Sequence, residues 1–216
     1  MYLLPTLNAN LIKKYHQDIV YNYAEYPTCD HWSYDFNSED YKKSLVDWLS
    51  KNKQEPIFFY VHVPFCEELC YFCTCSKIIT QNYETVKDYL YNYLFKEIDM
   101  LFNHLNENNI KLNVGTIFFG GGSPTIFYRE DLKNLVDKLK GLFDFSKVGN
   151  FTIEIDPRRV DADRLLWNHK TCGANRLSFG LQDFDPTVQR RVNRIQPSEI
   201  FKKILTNEVR KAYKTI

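Results

Sequence analysis

The 216-residue sequence has no apolar stretch long enough to cross a bilayer. The longest, Ile57 to Val61 extended through His62 to Phe65, is about half of the roughly 18 residues a spanning helix needs. It also lacks a signal-peptide core: the apolar run in Met1-Tyr-Leu-Leu-Pro-Thr6 is far too short, and the nearest lysine follows it rather than preceding it. Net charge is nearly absent as well. The 28 basic and 27 acidic side chains leave a formal charge of +1, which gives neither the broad positive field of a nucleic-acid binder nor an acidic tail. These absences predict a soluble, cytoplasmic chain with no membrane and no nucleic-acid partner, in which local basic residues bind any anionic ligand.

A disulfide framework is missing too, although the six cysteines are even in number. Four of them crowd into Cys66-Glu-Glu-Leu-Cys70-Tyr-Phe-Cys73-Thr-Cys75, while Cys29 and Cys172 stand alone. That is the wrong distribution for bridges that close long loops, and it points to a metal site in a reducing compartment. A zinc ribbon needs a second ligand pair downstream, which is absent. A bacterial ferredoxin run has a different first gap and a later Cys-Pro. The spacing C-x3-C-x2-C fits three corners of a [4Fe-4S] cluster and leaves one iron without a protein ligand. Cys29 and Cys172 read as ordinary partly buried thiols.

After a polar, tyrosine-rich lead to about residue 40, short β-branched and aromatic runs alternate with longer helical patterns. Strands are expected at 57–63, 114–119, 151–155 and 176–179. Helices are expected at about 82–105, 129–142, 161–168, 186–192 and 197–213. Four β-α units predict an α/β fold with a parallel sheet and right-handed crossovers. The unusual residues all fall at the carboxyl ends of strands, where such sheets bind ligands. The cysteine loop follows the first strand and Gly120-Gly-Gly122-Ser-Pro124 the second. Glu154 and Asp156-Pro157 close the third, and Gly180-Leu-Gln182-Asp183 follows the fourth.

The cysteine spacing after a first strand resembles the signature of the radical S-adenosylmethionine (SAM) superfamily. The string Tyr60-Val-His-Val-Pro-Phe-Cys66 through Cys75 is similar to the oxygen-independent coproporphyrinogen III oxidase family. So are Phe119-Gly-Gly-Gly-Ser-Pro-Thr125, Thr152-Ile-Glu-Ile-Asp-Pro-Arg158 and Arg176 through Arg194, and a Tyr-x-x-Tyr-Pro-Thr element ends at Thr28. The resemblance implies the N-terminal portion of a partial (β/α)6 TIM-like barrel. It implies Cys66, Cys70 and Cys73 as cluster ligands. It also implies SAM contacts at Gly121, Gly122, Ser123, Glu154, Gln182 and Arg194, with Tyr60 and Phe72 flanking the cluster. Cys75 favours the oxidase over the heme-chaperone branch of the superfamily, and its role stays open between structural thiol and active-site group. Thr74 stands where the family usually has glycine, which changes the loop without removing a ligand.

The implied reaction is radical decarboxylation in heme biosynthesis. A 5′-deoxyadenosyl radical abstracts hydrogen from the β-carbon of a propionate of coproporphyrinogen III, and loss of carbon dioxide and one electron leaves a vinyl group; two propionates react in this way, giving protoporphyrinogen IX. The implied partners are that substrate and an electron donor such as flavodoxin or ferredoxin, acting on a monomer. Arg158, Arg159, Arg190 and Arg191 are candidates by charge for the substrate carboxylates. The expected division is a substrate-side extension at 1–50 and an incomplete barrel at 51–216, without the family's C-terminal domain and with an aggregation-prone strand edge. The alternatives are a heme chaperone and a non-catalytic fragment that binds a cluster.

Overall fold

A computed structural model of the chain describes residue 33 and residues 35–216. Most of the expected 1–50 extension, including Cys29 and the element ending at Thr28, lies outside the described residues. The chain divides into two compact units, Met1–Ser44 and Leu45–Ile216. Helix α1 (Ser38–Lys51) begins in the first, where the sequence reads as a polar lead. Its start follows from a reciprocal cap. The Asn37 side-chain oxygen accepts from the Glu39 and Asp40 amides at 2.8 and 3.2 Å, and the Asp40 carboxylate accepts from the Asn37 amide at 3.1 Å.

The second unit continues through β1 (Ile57–Val63), β2 (Phe65–Cys66), β3 (Ile78–Ile79), α2 (Tyr83–Asp88), a π-helical turn (Tyr89–Leu94) and α3 (Phe95–Glu107). Next come β4 (Val114–Gly121), α4 (Arg129–Lys140), β5 (Asn150–Ile155), α5 (Ala162–Trp167) with a second π-helical turn (Asn168–Cys172), and β6 (Arg176–Phe179). Helices α6 (Pro186–Arg191), α7 (Ser198–Ile204) and α8 (Asn207–Ala212) follow. Two expected helices differ in detail. The 82–105 pattern contains the π turn, and the 197–213 pattern splits where the Thr206 side chain caps the Val209 amide at 3.3 Å.

The main sheet has the order β1-β4-β5-β6, all parallel. Strands added in chain order through right-handed crossovers put every crossover helix on the same face, the arrangement of a barrel rather than of a doubly wound sheet. Burial follows the two-residue period. Val61, Val63, Ile117, Phe119, Phe151, Ile153, Ile155 and Leu177 enter one core with Leu90, Ile98 and Phe102 of the first helical segment, Leu132, Leu135, Val136 and Leu139 of α4, and Leu165 of α5. Each such side chain stabilises the fold by about 1.5–3 kcal/mol when fully buried. The alternate residues Phe58, Tyr60, His62, Thr116, Phe118, Thr152, Glu154, Arg176 and Ser178 point to the other face. Beyond β6, Thr215 makes a parallel bridge to Arg176, and its carbonyl accepts the Leu177 amide at 3.0 Å. No helix among the described residues is long and apolar enough to cross a membrane.

Candidate functional site

The cysteine loop is closed at its base by the two-residue pairing of β2 with β3: Ile78 N–H donates to Pro64 O at 2.6 Å and Thr80 N–H to Cys66 O at 2.9 Å. Inside it, Cys73 N–H donates to Cys70 O at 3.0 Å, and the Lys77 ammonium donates to the Cys73 and Cys75 carbonyls at 2.9 and 3.1 Å. A second fastening comes from the end of α6. Tyr71 N–H donates to Val192 O at 3.0 Å, and Asn193, at φ 51°, donates through Nδ2 to Leu69 O at 2.8 Å. Asparagine tolerates this left-handed conformation better than most residues.

The glycines after β4 allow the loop to lie against the sheet. Gly122 N–H donates to Val63 O at 2.7 Å, and a Cβ on Gly122 would fall 2.6 Å from the Phe65 carbonyl oxygen. Gly121 adopts φ +110°, and a Cβ there would lie 2.6 Å from the His62 ring. Its amide donates to Glu154 Oε2 at 3.0 Å. The run that reads as a turn or a ligand cradle is thus also a packing requirement of the cysteine loop.

The cavity at this edge has a volume of about 300 Å³. It is lined by Cys66, Cys70, Cys73 and Cys75, with Phe72, Gly121, Gly122, Glu154, Gln182 and Arg194. Of the cluster and SAM residues singled out in the sequence, two lie elsewhere. Ser123 lines an adjoining cavity, where its hydroxyl is 3.3 Å from that of Thr125. Tyr60 lies on β1, with its hydroxyl 3.0 Å from His62 Nδ1. His62 itself was not expected, although the period-2 alternation puts it on the same face as Tyr60. Its Nε2 is 2.8 Å from the Ser76 carbonyl, which can only accept, so Nε2 carries a proton, and Nδ1 shares its hydrogen bond with the Tyr60 hydroxyl.

Burial is the main influence on the ionisable groups here. It pushes the Cys66 thiol up to about 11, reinforced by Cys73, Asp156 and Cys70. Burial, then Cys73, also raises Cys75, and burial raises Glu154 against the opposing pull of the Gly121 amide and His62. Tyr60 is raised by burial, then by Glu154 and Cys75. Asp156 goes the other way. Burial acts to raise it, but the Arg158 hydrogen bonds and Arg194 outweigh that and hold it below the usual carboxylate range.

Around Cys70 the surroundings are cationic. Arg194 Nη1 lies 3.5 Å from Cys70 Sγ, while its Nη2 donates to Gly180 O at 3.0 Å and its Nε to Gln196 Oε1 at 2.9 Å. Arg158 forks onto Asp156, with Nη2 to Oδ2 at 2.6 Å and Nε to Oδ1 at 2.9 Å. Arg158 and Arg159 both pair with Glu68 of the cysteine loop, each at 3.2 Å. These two candidates for substrate carboxylates therefore face the loop's own acid. Arg190 bonds the Thr187 hydroxyl at 3.2 Å, and Arg191 is exposed.

The donor set has the character that a [4Fe-4S] cluster requires of its ligands. Cys66, Cys70 and Cys73 border one cavity, and burial, followed by the proximity of Cys73 and Cys70, raises the Cys66 thiol. Among the described residues, no three histidine, cysteine or acidic groups converge on a point that would hold one metal ion. Thiols spread around a cavity suit separate corners of a multi-iron cluster better than one tetrahedral ion. The residues present fit the group.

Residues 60–215 match the family described as the Radical SAM superfamily. The chain is 37% identical over 181 residues to an oxygen-independent coproporphyrinogen III oxidase of Helicobacter pylori, covering 82% of this chain and 38% of that protein. It is 34% identical over 197 residues to the Escherichia coli protein of the same name, covering 91% of this chain and 41% of that one. Coproporphyrinogen III oxidase (HemN) from Escherichia coli, described as a Radical SAM enzyme, superposes with a TM-score of 0.78 at 32% identity, over 96% of this chain and 44% of that structure. The chain thus spans about 40% of the length of the curated relatives it matches.

Proposed function

We propose, since this chain belongs to the radical SAM superfamily, whose cofactors are a [4Fe-4S] cluster and SAM, that Cys66, Cys70 and Cys73 ligate the cluster. Gly121, Gly122, Glu154, Gln182 and Arg194 receive SAM, flanked by Tyr60 and Phe72, and Ser123 contributes through its backbone. The reaction is the oxygen-independent decarboxylation of two propionates of coproporphyrinogen III to vinyl groups. It takes place in the cytoplasm, on a monomer supplied with electrons by a flavodoxin or ferredoxin. Residues 1–50 form a substrate-side extension and 51–216 the cofactor-binding part of the barrel. One observation carries this reading: the three thiols share a single cavity with the glycine run, Glu154, Gln182 and Arg194.

When bound, the cluster and SAM supply one-electron chemistry that removes a hydrogen atom from the substrate. The protein binds, orients and shields. Glu154, its Oε2 fixed by the Gly121 amide, offers a paired acceptor of the kind a ribose diol requires. The hydrogen-bonded row Tyr60–His62–Ser76 ties β1 to the chain beyond Cys75 and so fixes the rim of the cavity. Phe72 contributes apolar cover to the loop.

The test is anaerobic reconstitution with iron and sulfide, reduction, and assay for 5′-deoxyadenosine with and without coproporphyrinogen III. The expected outcome is an iron-sulfur absorption band, SAM cleavage and a vinyl-bearing product. Absence of both the band and cleavage overturns the reading. Tight stoichiometric heme binding without decarboxylation replaces it with the chaperone, and a cluster without cleavage replaces it with a cluster-binding fragment.

A further inference from the structure

The three proposed ligand thiols of the loop are not equivalent. Cys70 is the buried one, and Cys66 and Cys73 are half-exposed. Two guanidiniums reach its sulfur, Arg194 Nη1 at 3.5 Å and Arg158 Nη2 at 3.9 Å, the latter long even for sulfur. Asp156 lies between them, bonded to Arg158 at 2.6 Å and paired with Arg194 at 3.7 Å. All three of these side chains are only 12% exposed. Arg158, Arg194 and the Asp156 carboxylate crowd one cluster corner where solvent screens them poorly, while Glu68 pairs with Arg158 at 3.2 Å from the more exposed side of the loop. A surface ion pair would not act in this way.

We propose that Asp156 and Arg158 set the reduction potential of the cluster through Cys70. This rests on the ligand assignment above and adds to it an unequal electrostatic environment at one corner. Reduction adds negative charge to the cluster. Positive charge and N–H···S contacts at a ligand sulfur stabilise the reduced form and raise the potential, while a nearby carboxylate lowers it. Arg158 and Asp156 therefore act with opposite signs at the same corner. The contact is built by sequence-local geometry. Asp156 caps the short turn Pro157–Arg159 by accepting the Arg158 amide at 3.0 Å, and this brings the Arg158 side chain back onto its carboxylate and under the loop.

The bland alternative is that the triad only fastens the turn after β5 to the loop and to the end of α6. The signs of the shifts separate the two. A fastening role predicts that any disruption opens the loop to solvent, so all variants move the potential in one direction. The tuning role predicts opposite directions for the two residues.

The experiment uses the full chain, wild type and the variants Arg158→Gln, Arg158→Lys and Asp156→Asn. Each is reconstituted anaerobically, assayed for iron and acid-labile sulfide, and titrated with electron paramagnetic resonance detection. Arg158→Gln is expected to lower the reduced-to-oxidised ratio at a fixed potential about tenfold, a shift of about 59 mV for one electron. Arg158→Lys, which keeps the charge without the fork, shifts in the same direction by less. Asp156→Asn shifts the other way. Equal-direction shifts, or no shift in a fully loaded cluster, overturn the proposal. If Arg158→Gln does not load, Asp156→Asn decides alone, and a negative or null shift overturns it. A wild type that takes up no cluster sinks the ligand assignment and this inference together. A wild type that loads and cleaves SAM, with unmoved potentials in the variants, sinks only this one.

Discussion

Gly121 carries three constraints at one residue. Its φ of +110° is a region that side chains rarely adopt, a Cβ would strike the His62 ring at 2.6 Å, and its amide holds Glu154. Gly121→Ala is therefore expected to destabilise the cluster-free chain by about 1–3 kcal/mol, through backbone strain and displacement of His62. Because His62 bonds both Tyr60 and Ser76, the shift passes to the rim of the cavity, and SAM binding should weaken with it. Denaturant unfolding of the cluster-free chain reads the first effect and equilibrium binding of SAM to the reconstituted chain the second. Unchanged values for both would show that the loop accommodates a side chain at this position. Asp156 and Arg158 show the limit of sequence reading at this scale. Asp156-Pro157 reads as the close of a strand, but Cys70 is distant along the chain, and nothing local announces that the next arginine turns back toward it.

At the level of elements, what the sequence made legible depended on whether the cause was local. Strands β1 and β6 end where their aromatic and β-branched alternation ends, at Val63 and Phe179. The start of α1 lies in what reads as a polar lead, because the tyrosine-rich composition around it masks the local Asn37-Ser-Glu-Asp40 cap. The Thr206 cap that divides α7 from α8 is equally local, but the apolar pattern of 197–213 runs across it. The π turn at Tyr89–Leu94 is different. The apolar stripe runs through it unbroken, and its polar anchor lies on another helix. Tyr91 donates to Asp131 Oδ1 at 2.6 Å, Tyr83 makes a short hydrogen bond to the other carboxylate oxygen, and Tyr83 also accepts the Tyr128 amide at 2.8 Å. Asp131, in the first turn of α4, is only 6% exposed. Asp131→Ala removes two charge-assisted hydrogen bonds and a favourable helix-terminus charge, and should cost about 2–4 kcal/mol. Hydrogen exchange should locate the loosening in Tyr89–Leu94 and the start of α4. Uniform loss of protection across the sheet instead would refute a local role for this network.

For the second unit as a whole, the strand order determines which surface needs cover. The crossover helices share one face of the sheet, so its other face carries the site at one end and an aromatic row further along. Phe58 is 61% exposed and Tyr60 47%, and their ring centroids each lie 6.0 Å from that of Phe118. Isolated exposed aromatics are common, but three adjacent rings on a strand face form a patch of the sort that drives association. The sequence suggested the strand edge as the hazard. The bridge from Thr215 to Arg176 covers part of the β6 edge, which moves attention to this face. Phe58→Lys isolates the effect, because the site change leaves the cysteine loop and the glycine run untouched. It gives up a tilted ring pair worth about 0.5–1.5 kcal/mol, while the lysine stem still covers Phe118 and its ammonium reaches water. The proposed working state is the monomer, so the association meant here is that driven by raised concentration: sedimentation and light scattering over a concentration series should show less of it than in the parent chain, with reconstituted iron content unchanged. If the variant associates as strongly as the parent, the aromatic face is not the contact surface, and the exposed edge of β1 becomes the element to block.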